Sequence, residues 1–143
     1  MSGYSLETFY HNLGMLKAKT LNVVIDACFS GSTAAGMLIK NASPVLLKVS
    51  RQGQLGGESI LITSAQENEI SSWLPEKSHS LFTYYYLKGM QGEADTNQDK
   101  KISAREMETW LNSTVGTTAL RLYNRNQTPS VLGSESRILI EFH

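Results

Sequence analysis

Leu21-Asn22-Val23-Val24-Ile25-Asp26-Ala27-Cys28-Phe29-Ser30-Gly31 constrains this chain more than any other stretch. Leu21, Val23, Val24 and Ile25 form a nearly continuous apolar run, the pattern of a parallel strand covered on both faces. Asp26 breaks the run, and Ser30-Gly31-Ser32 lets the backbone turn sharply. The strand therefore carries Asp26 and Cys28 to its C-terminal end, the edge of an open α/β sheet where ligands bind. Cys28 is the only cysteine, so no internal disulfide can form. At this point Cys28 reads equally as a buried structural thiol or as a nucleophile. Asp26, a carboxylate at a ligand edge, needs a partner, and nearby backbone donors can supply one.

The elements on either side fit an α/β domain. Leu6, Phe9, Tyr10, Leu13 and Leu16 follow helical spacing, so a helix over 5–18 feeds a strand over 21–26. Residues 41–57 are loop-like, with Pro44 and Gly53, Gly56 and Gly57. Ser59 to Ser64 reads as the next buried strand, and 65–77 as a polar loop. Leu81 to Met90 has apolar positions in helical order, ending near Gly89 and Gly92. A further helix is expected over 103–115, a polar loop over 116–129, and a closing strand over 137–142.

Asp95 to Glu106 matches a twelve-residue Ca²⁺ loop in its oxygen-bearing positions: Asp95, Asn97, Asp99, Ser103 and Glu106, with the Lys101 carbonyl between them. Lys100 stands where that pattern wants a glycine with φ > 0. The same residues also fit an Asx-turn loop in which Ser103 caps a helix and Glu106 completes a capping box. Both readings stay open on sequence alone.

Thirteen basic and thirteen acidic residues cancel, and no basic block marks a nucleic-acid partner. No apolar run approaches the ~20 residues that span a bilayer, and the start lacks a signal-peptide pattern, so a cytoplasmic chain without a membrane partner is expected. Hydrophobic content of 41% with 18% charged residues is ordinary for one globular domain over 1–143.

Asp26-Ala27-Cys28-Phe29-Ser30-Gly31 resembles the nucleophile motif of the caspase-like cysteine peptidases, metacaspases and bacterial caspase-like proteins in particular. Ser78-His79-Ser80-Leu81-Phe82-Thr83 is similar to that family's helix opening, Ala94-Asp95-Thr96-Asn97-Gln98-Asp99 to its acidic loop, and Gln127-Thr128-Pro129 to the segment before its last strand. The resemblance implies a mostly parallel caspase-like sheet flanked by helices, lacking the first strands and the catalytic His they carry. His11, His79 and His143 are the only histidines, and none lies in a His-Gly turn.

By that resemblance Cys28 is the nucleophile of a thioester mechanism, Asp26, Ser64 and Trp73 bind substrate, and residues 41–57 are an interdomain or processing loop. An acidic S1 pocket implies cleavage after Arg or Lys. Leu74 follows Ser72-Trp73 where caspases place an Arg, which argues against Asp specificity. Trp73 either lines the substrate groove or caps the core. The chemistry needs no cofactor, and Ca²⁺ enters only through the 95–106 loop. The implied partners are a peptide or protein substrate and a complementary fragment carrying the His, or a second copy paired along an open hydrophobic sheet edge. The alternative is a non-catalytic caspase-like module that binds a protein or Ca²⁺.

Overall fold

The computed structural model describes residues 6–27, 32–33, 36–37, 58–66 and 69–143; Cys28 and the 41–57 loop lie outside them. Helix α1 (Leu6–Gly14) leads into β1 (Asn22–Ile25), and the short strands β2 (Ser32–Thr33) and β3 (Gly36–Met37) pair antiparallel. β4 (Ile60–Thr63) follows, then β5 (Trp73–Leu74) and β6 (His79–Ser80), which form a small antiparallel pair. α2 (Leu81–Lys88), β7 (Lys101–Ser103), α3 (Ala104–Leu111), α4 (Thr117–Tyr123), β8 (Ser130–Leu132) and β9 (Ile138–Glu141) complete the order. The protein is a mixed α/β structure built on small sheets.

The main sheet runs β1-β4-β8. β1 and β4 are parallel, with Asn22 opposite Ile60 and Ile25 opposite Thr63. β4 and β8 are antiparallel, with Leu61 opposite Leu132. Among the described residues β1–β4 is the one parallel pair, and the other strand pairs are antiparallel. The closing strand forms within the expected 137–142, as β9. β9 pairs with β7, not with the main sheet, because the chain crosses back to Lys101 and seals the acidic loop with a Phe142 N–H donated to the Lys100 carbonyl (2.8 Å).

β4 is the strand covered on both faces. All four of its residues are buried. Its alternation sends Leu61 toward Tyr10 and Val23 and the α1 side, and Ile60 and Ile62 toward the helices. At about 1.5–3 kcal/mol for each fully buried Ile or Leu, this strand anchors the domain. β1, expected to be equally covered, is half open: Val23 is buried but Val24 is 38% exposed. The reason is topological, since among the described residues β1 has a neighbour on one edge only.

The larger core gathers Leu81 and Phe82 of α2, Met107 and Leu111 of α3, Val115, and Ala119 of α4. Gly89, just past α2, permits the helices to meet. A Cβ there would lie 2.8 Å from the Trp110 indole and 3.1 Å from Met107 Cε. The Trp110 indole N–H donates to the Tyr85 carbonyl (2.9 Å) across the same contact. Residues 117–123, expected as loop, are helical. After α3 a wide turn at Asn112–Gly116 keeps the backbone helical in spite of Gly116.

Candidate functional site

The C-terminal ends of the parallel strands lie side by side, and the site is built there. The Ser64 N–H donates to the Ile25 carbonyl (3.0 Å), which carries the pairing one step beyond the strands. Ser64 is fully buried, and its hydroxyl both accepts from the Ala27 N–H and donates to the Ala27 carbonyl, each at 3.2 Å. Its place is therefore beneath the site, where it holds the backbone that precedes Cys28.

Asp26 leaves β1 with its side chain exposed and is met by three hydroxyls from distant parts of the chain. Ser71 donates to Oδ1 (2.8 Å). Thr83 donates to Oδ2 (2.6 Å), and Ser80 donates to the same oxygen. Ser80 is also the N-cap of α2, accepting from the Thr83 N–H (3.0 Å). Among the described residues the donors to this carboxylate are side-chain hydroxyls. No Lys, Arg or His among the described residues pairs with it. The result is a carboxylate at a sheet edge, oriented by neutral partners among the described residues.

A buried side chain that the sequence marked only as part of a motif braces the surrounding loops. Gln127 is 1% exposed. Its Oε1 accepts from the Ser72 N–H (2.8 Å), and its Nε2 donates to the Ser64 carbonyl (3.0 Å) and the Ser71 hydroxyl (3.4 Å). The next residue repeats the device: Glu69 accepts from the Thr128 N–H (2.5 Å) and hydroxyl (2.8 Å). The Ser72 carbonyl accepts from the Leu81 N–H (2.8 Å), which ties the loop to α2.

Trp73 is 57% exposed beside this cluster and so does not cap the core; Leu74 turns inward instead. The Tyr123 hydroxyl donates to the Trp73 carbonyl. Arg125 donates from Nε and Nη2 to the Ser72 hydroxyl (3.3 and 3.0 Å) and lies over the Tyr123 ring (5.2 Å). Ser71, Ser80, Thr83, Arg125 and Gln127 thus join Asp26 without having been singled out as site residues. The one signal for them in sequence was the similarity of Gln127-Thr128-Pro129 and Ser80-Leu81-Phe82 to family segments.

The 95–106 loop is a separate structure. Asp95 accepts from the Asp99 N–H (3.3 Å) and the Lys100 N–H (3.0 Å), Asn97 from the Asp99 N–H (3.0 Å), and Asp99 from the Lys101 N–H (2.9 Å). Gln98 and Lys100 both take left-handed φ, 59° and 64°. Lys101 Nζ pairs with Glu141 (3.1 Å). Ser103 caps α3, and Glu106 returns its Oε2 to the Ser103 N–H (2.9 Å) and hydroxyl (2.8 Å), the capping box that the sequence permitted. Burial alone would raise the Glu106 pKa. The hydrogen bonds from the Ser103 backbone and hydroxyl, Thr96 and the Asn97 backbone together outweigh burial and hold it below its ordinary value. Among the described residues, no three His, Cys, Asp or Glu side chains converge in a way that could hold a metal ion. No helix among them is long and apolar enough to cross a membrane.

Compared with protein-family models, with curated proteins and with solved structures, the chain matches none.

Proposed function

We propose that this chain is the nucleophile-bearing portion of a caspase-like cysteine endopeptidase that cleaves after Arg or Lys. The observation that supports it best is Asp26: an exposed carboxylate two residues before Cys28, held by three hydroxyls, with no cation paired to it among the described residues. Such a group gains most from an incoming guanidinium or ammonium, and it repels an acidic side chain. Cys28 as thiolate attacks the scissile carbonyl to form a thioester, the amine leaves with a proton, and water then releases the acid. The Cys28 N–H serves as one oxyanion donor. A thiol of ordinary pKa, ~8.5, is mostly protonated at neutral pH. The base is therefore a His from upstream sequence or a complementary fragment, and the edge of β1 that has no neighbour among the described residues is where its strand would pair.

The test is intact-mass labelling of Cys28 by an Arg-directed peptidyl electrophile beside an Asp-directed one with the same reactive group. The ratio of the two rates is independent of how well the thiol is ionised. The expected result is an Arg-probe rate at least tenfold higher, on the order of one charge-assisted contact. Equal rates for the two probes overturn the assignment of Asp26.

A second reading, a non-catalytic module that binds Ca²⁺ through residues 95–106, is favoured by Lys100 at φ 64°. That is the conformation a twelve-residue Ca²⁺ loop requires at its sixth position. Melting in millimolar Ca²⁺ against Mg²⁺ and chelator tests it: a rise specific to Ca²⁺ supports this reading, and coincident curves remove it.

A further inference from the structure

Arg125 is a second charged group on the Asp26 face of the molecule, and its environment resembles that of Asp26 with the sign reversed. It is half-buried. Asn124 ends α4 with a left-handed φ of 48°, a conformation that Asn tolerates, and this returns the chain so that the guanidinium lies over the Tyr123 ring. Tyr123 is itself fixed by its hydroxyl bond to the Trp73 carbonyl. The Nε and Nη2 groups both point at one neutral acceptor, the hydroxyl of buried Ser72. Arg carries five N–H donors in a planar fork suited to a carboxylate. Two are engaged here, and no Asp or Glu among the described residues lies within ion-pair distance. A guanidinium oriented on two sides and left without an anion is prepared to receive one.

We propose that Arg125 forms an anion-accepting subsite beside Asp26, so that the preferred peptide carries an acidic side chain two or three residues before its basic one. This inference rests on the reading of Asp26 as the pocket for that basic residue. The spacing follows from the contacts. Ser71 touches Asp26, its neighbour Ser72 touches Arg125, and adjacent Cα atoms stand ~3.8 Å apart. The two charged groups are therefore on the order of 10 Å apart, which an extended peptide covers in about three residues at ~3.3 Å each. Trp73, the next residue along, is exposed, and its carbonyl accepts from the Tyr123 hydroxyl beneath Arg125.

The experiment uses three peptidyl electrophiles that share a terminal Arg and reactive group and carry Glu, Ala or Lys at the positions two and three residues before that Arg. Adduct formation at Cys28 is followed by intact mass on the whole chain. The Glu probe is expected to react about fivefold faster than the Ala probe at low ionic strength, the scale of one accessible ion pair, with the Lys probe slowest. The order should compress in 0.5 M salt, because the Debye length falls toward ~3 Å near 1 M. Arg125→Gln should level the three rates and preserve the preference for Arg over Asp at the terminal position. Equal rates for Glu and Ala probes in the unsubstituted chain, with that terminal preference intact, overturn the subsite alone. Loss of the terminal preference overturns the Asp26 assignment and the subsite with it. The probe series on the unsubstituted chain decides the matter even if Arg125→Gln fails to fold.

Discussion

Two acidic regions of this molecule are satisfied in opposite ways. In the 95–106 loop, carboxylate and amide oxygens accept from backbone N–H groups two to five residues away. At Asp26 the donors among the described residues lie 45, 54 and 57 residues away and are side-chain hydroxyls. The first arrangement is a local turn that forms wherever those residues occur. The second exists only when β1, the 69–74 loop and the start of α2 have already come together. An acid that draws its partners from two remote segments, with no counter-ion among the described residues, marks a place the fold has assembled, whereas an acid that closes on its own loop marks a turn the fold has used.

That contrast can be broken most forcefully at Gln127. If remote contacts assemble the Asp26 region, Gln127→Ala leaves the Ser72 N–H and Ser64 carbonyl buried without a partner. It should cost about 3 kcal/mol in urea unfolding. A cost below ~1 kcal/mol would mean that these loops are held in place by other contacts. Next in size, Asp26→Asn removes the charge and keeps the shape. The Arg-probe preference at Cys28 should fall about tenfold, near 1.4 kcal/mol, with a smaller change in melting temperature. A preference that survives this substitution would place the cation pocket elsewhere.

The 95–106 side sharpens the comparison with smaller effects. Glu106→Gln weakens the capping box of α3 and is expected to lower stability by about 1 kcal/mol. The Glu106 pKa is lowered in the folded chain. Its contribution is therefore complete above the unfolded value near ~4.3 and is lost as pH falls through the lowered folded value. Urea midpoints measured between pH 6 and pH 3 should converge for Glu106→Gln and the unsubstituted chain. Divergence toward acid would assign the acid sensitivity to another group. Smallest of all, Lys100→Asn places a residue that tolerates φ 64° at that position and should stabilise by about 0.5 kcal/mol in the same assay.

The same contrast explains what could be read before the structure. Local signals were legible. The apolar runs of β1 and β4, the Ser80 start of α2 and the Ser103–Glu106 capping box each depend on residues within a few positions of one another. α4 was not legible because its pattern is inverted: Thr118 and Ala119 are buried, while Leu120 and Leu122 are 55% and 50% exposed. β8 is three residues long and is ordered by its pairing with β4, not by propensity. Asp26 stands where the sequence placed it, at a strand end, whereas Trp73, expected in a polar loop, lies in the two-residue strand β5 because it pairs with Ser80. The hydroxyls of Ser71, Ser80 and Thr83 could not be matched to Asp26 in advance, since nothing within 40 residues of it records the meeting.

The two tryptophans fall one in each half of this picture. Trp73 is largely exposed beside the Asp26 cluster, and Trp110 is packed against α2 with its indole N–H bonded to Tyr85. The chain therefore carries two native optical reporters with different surroundings. Emission from Trp73 is accessible to a soluble quencher, and emission from Trp110 is shielded until the helices separate. A titration in which quenching of the red component changes while the blue component holds steady would register a peptide arriving over the strand ends without any label attached.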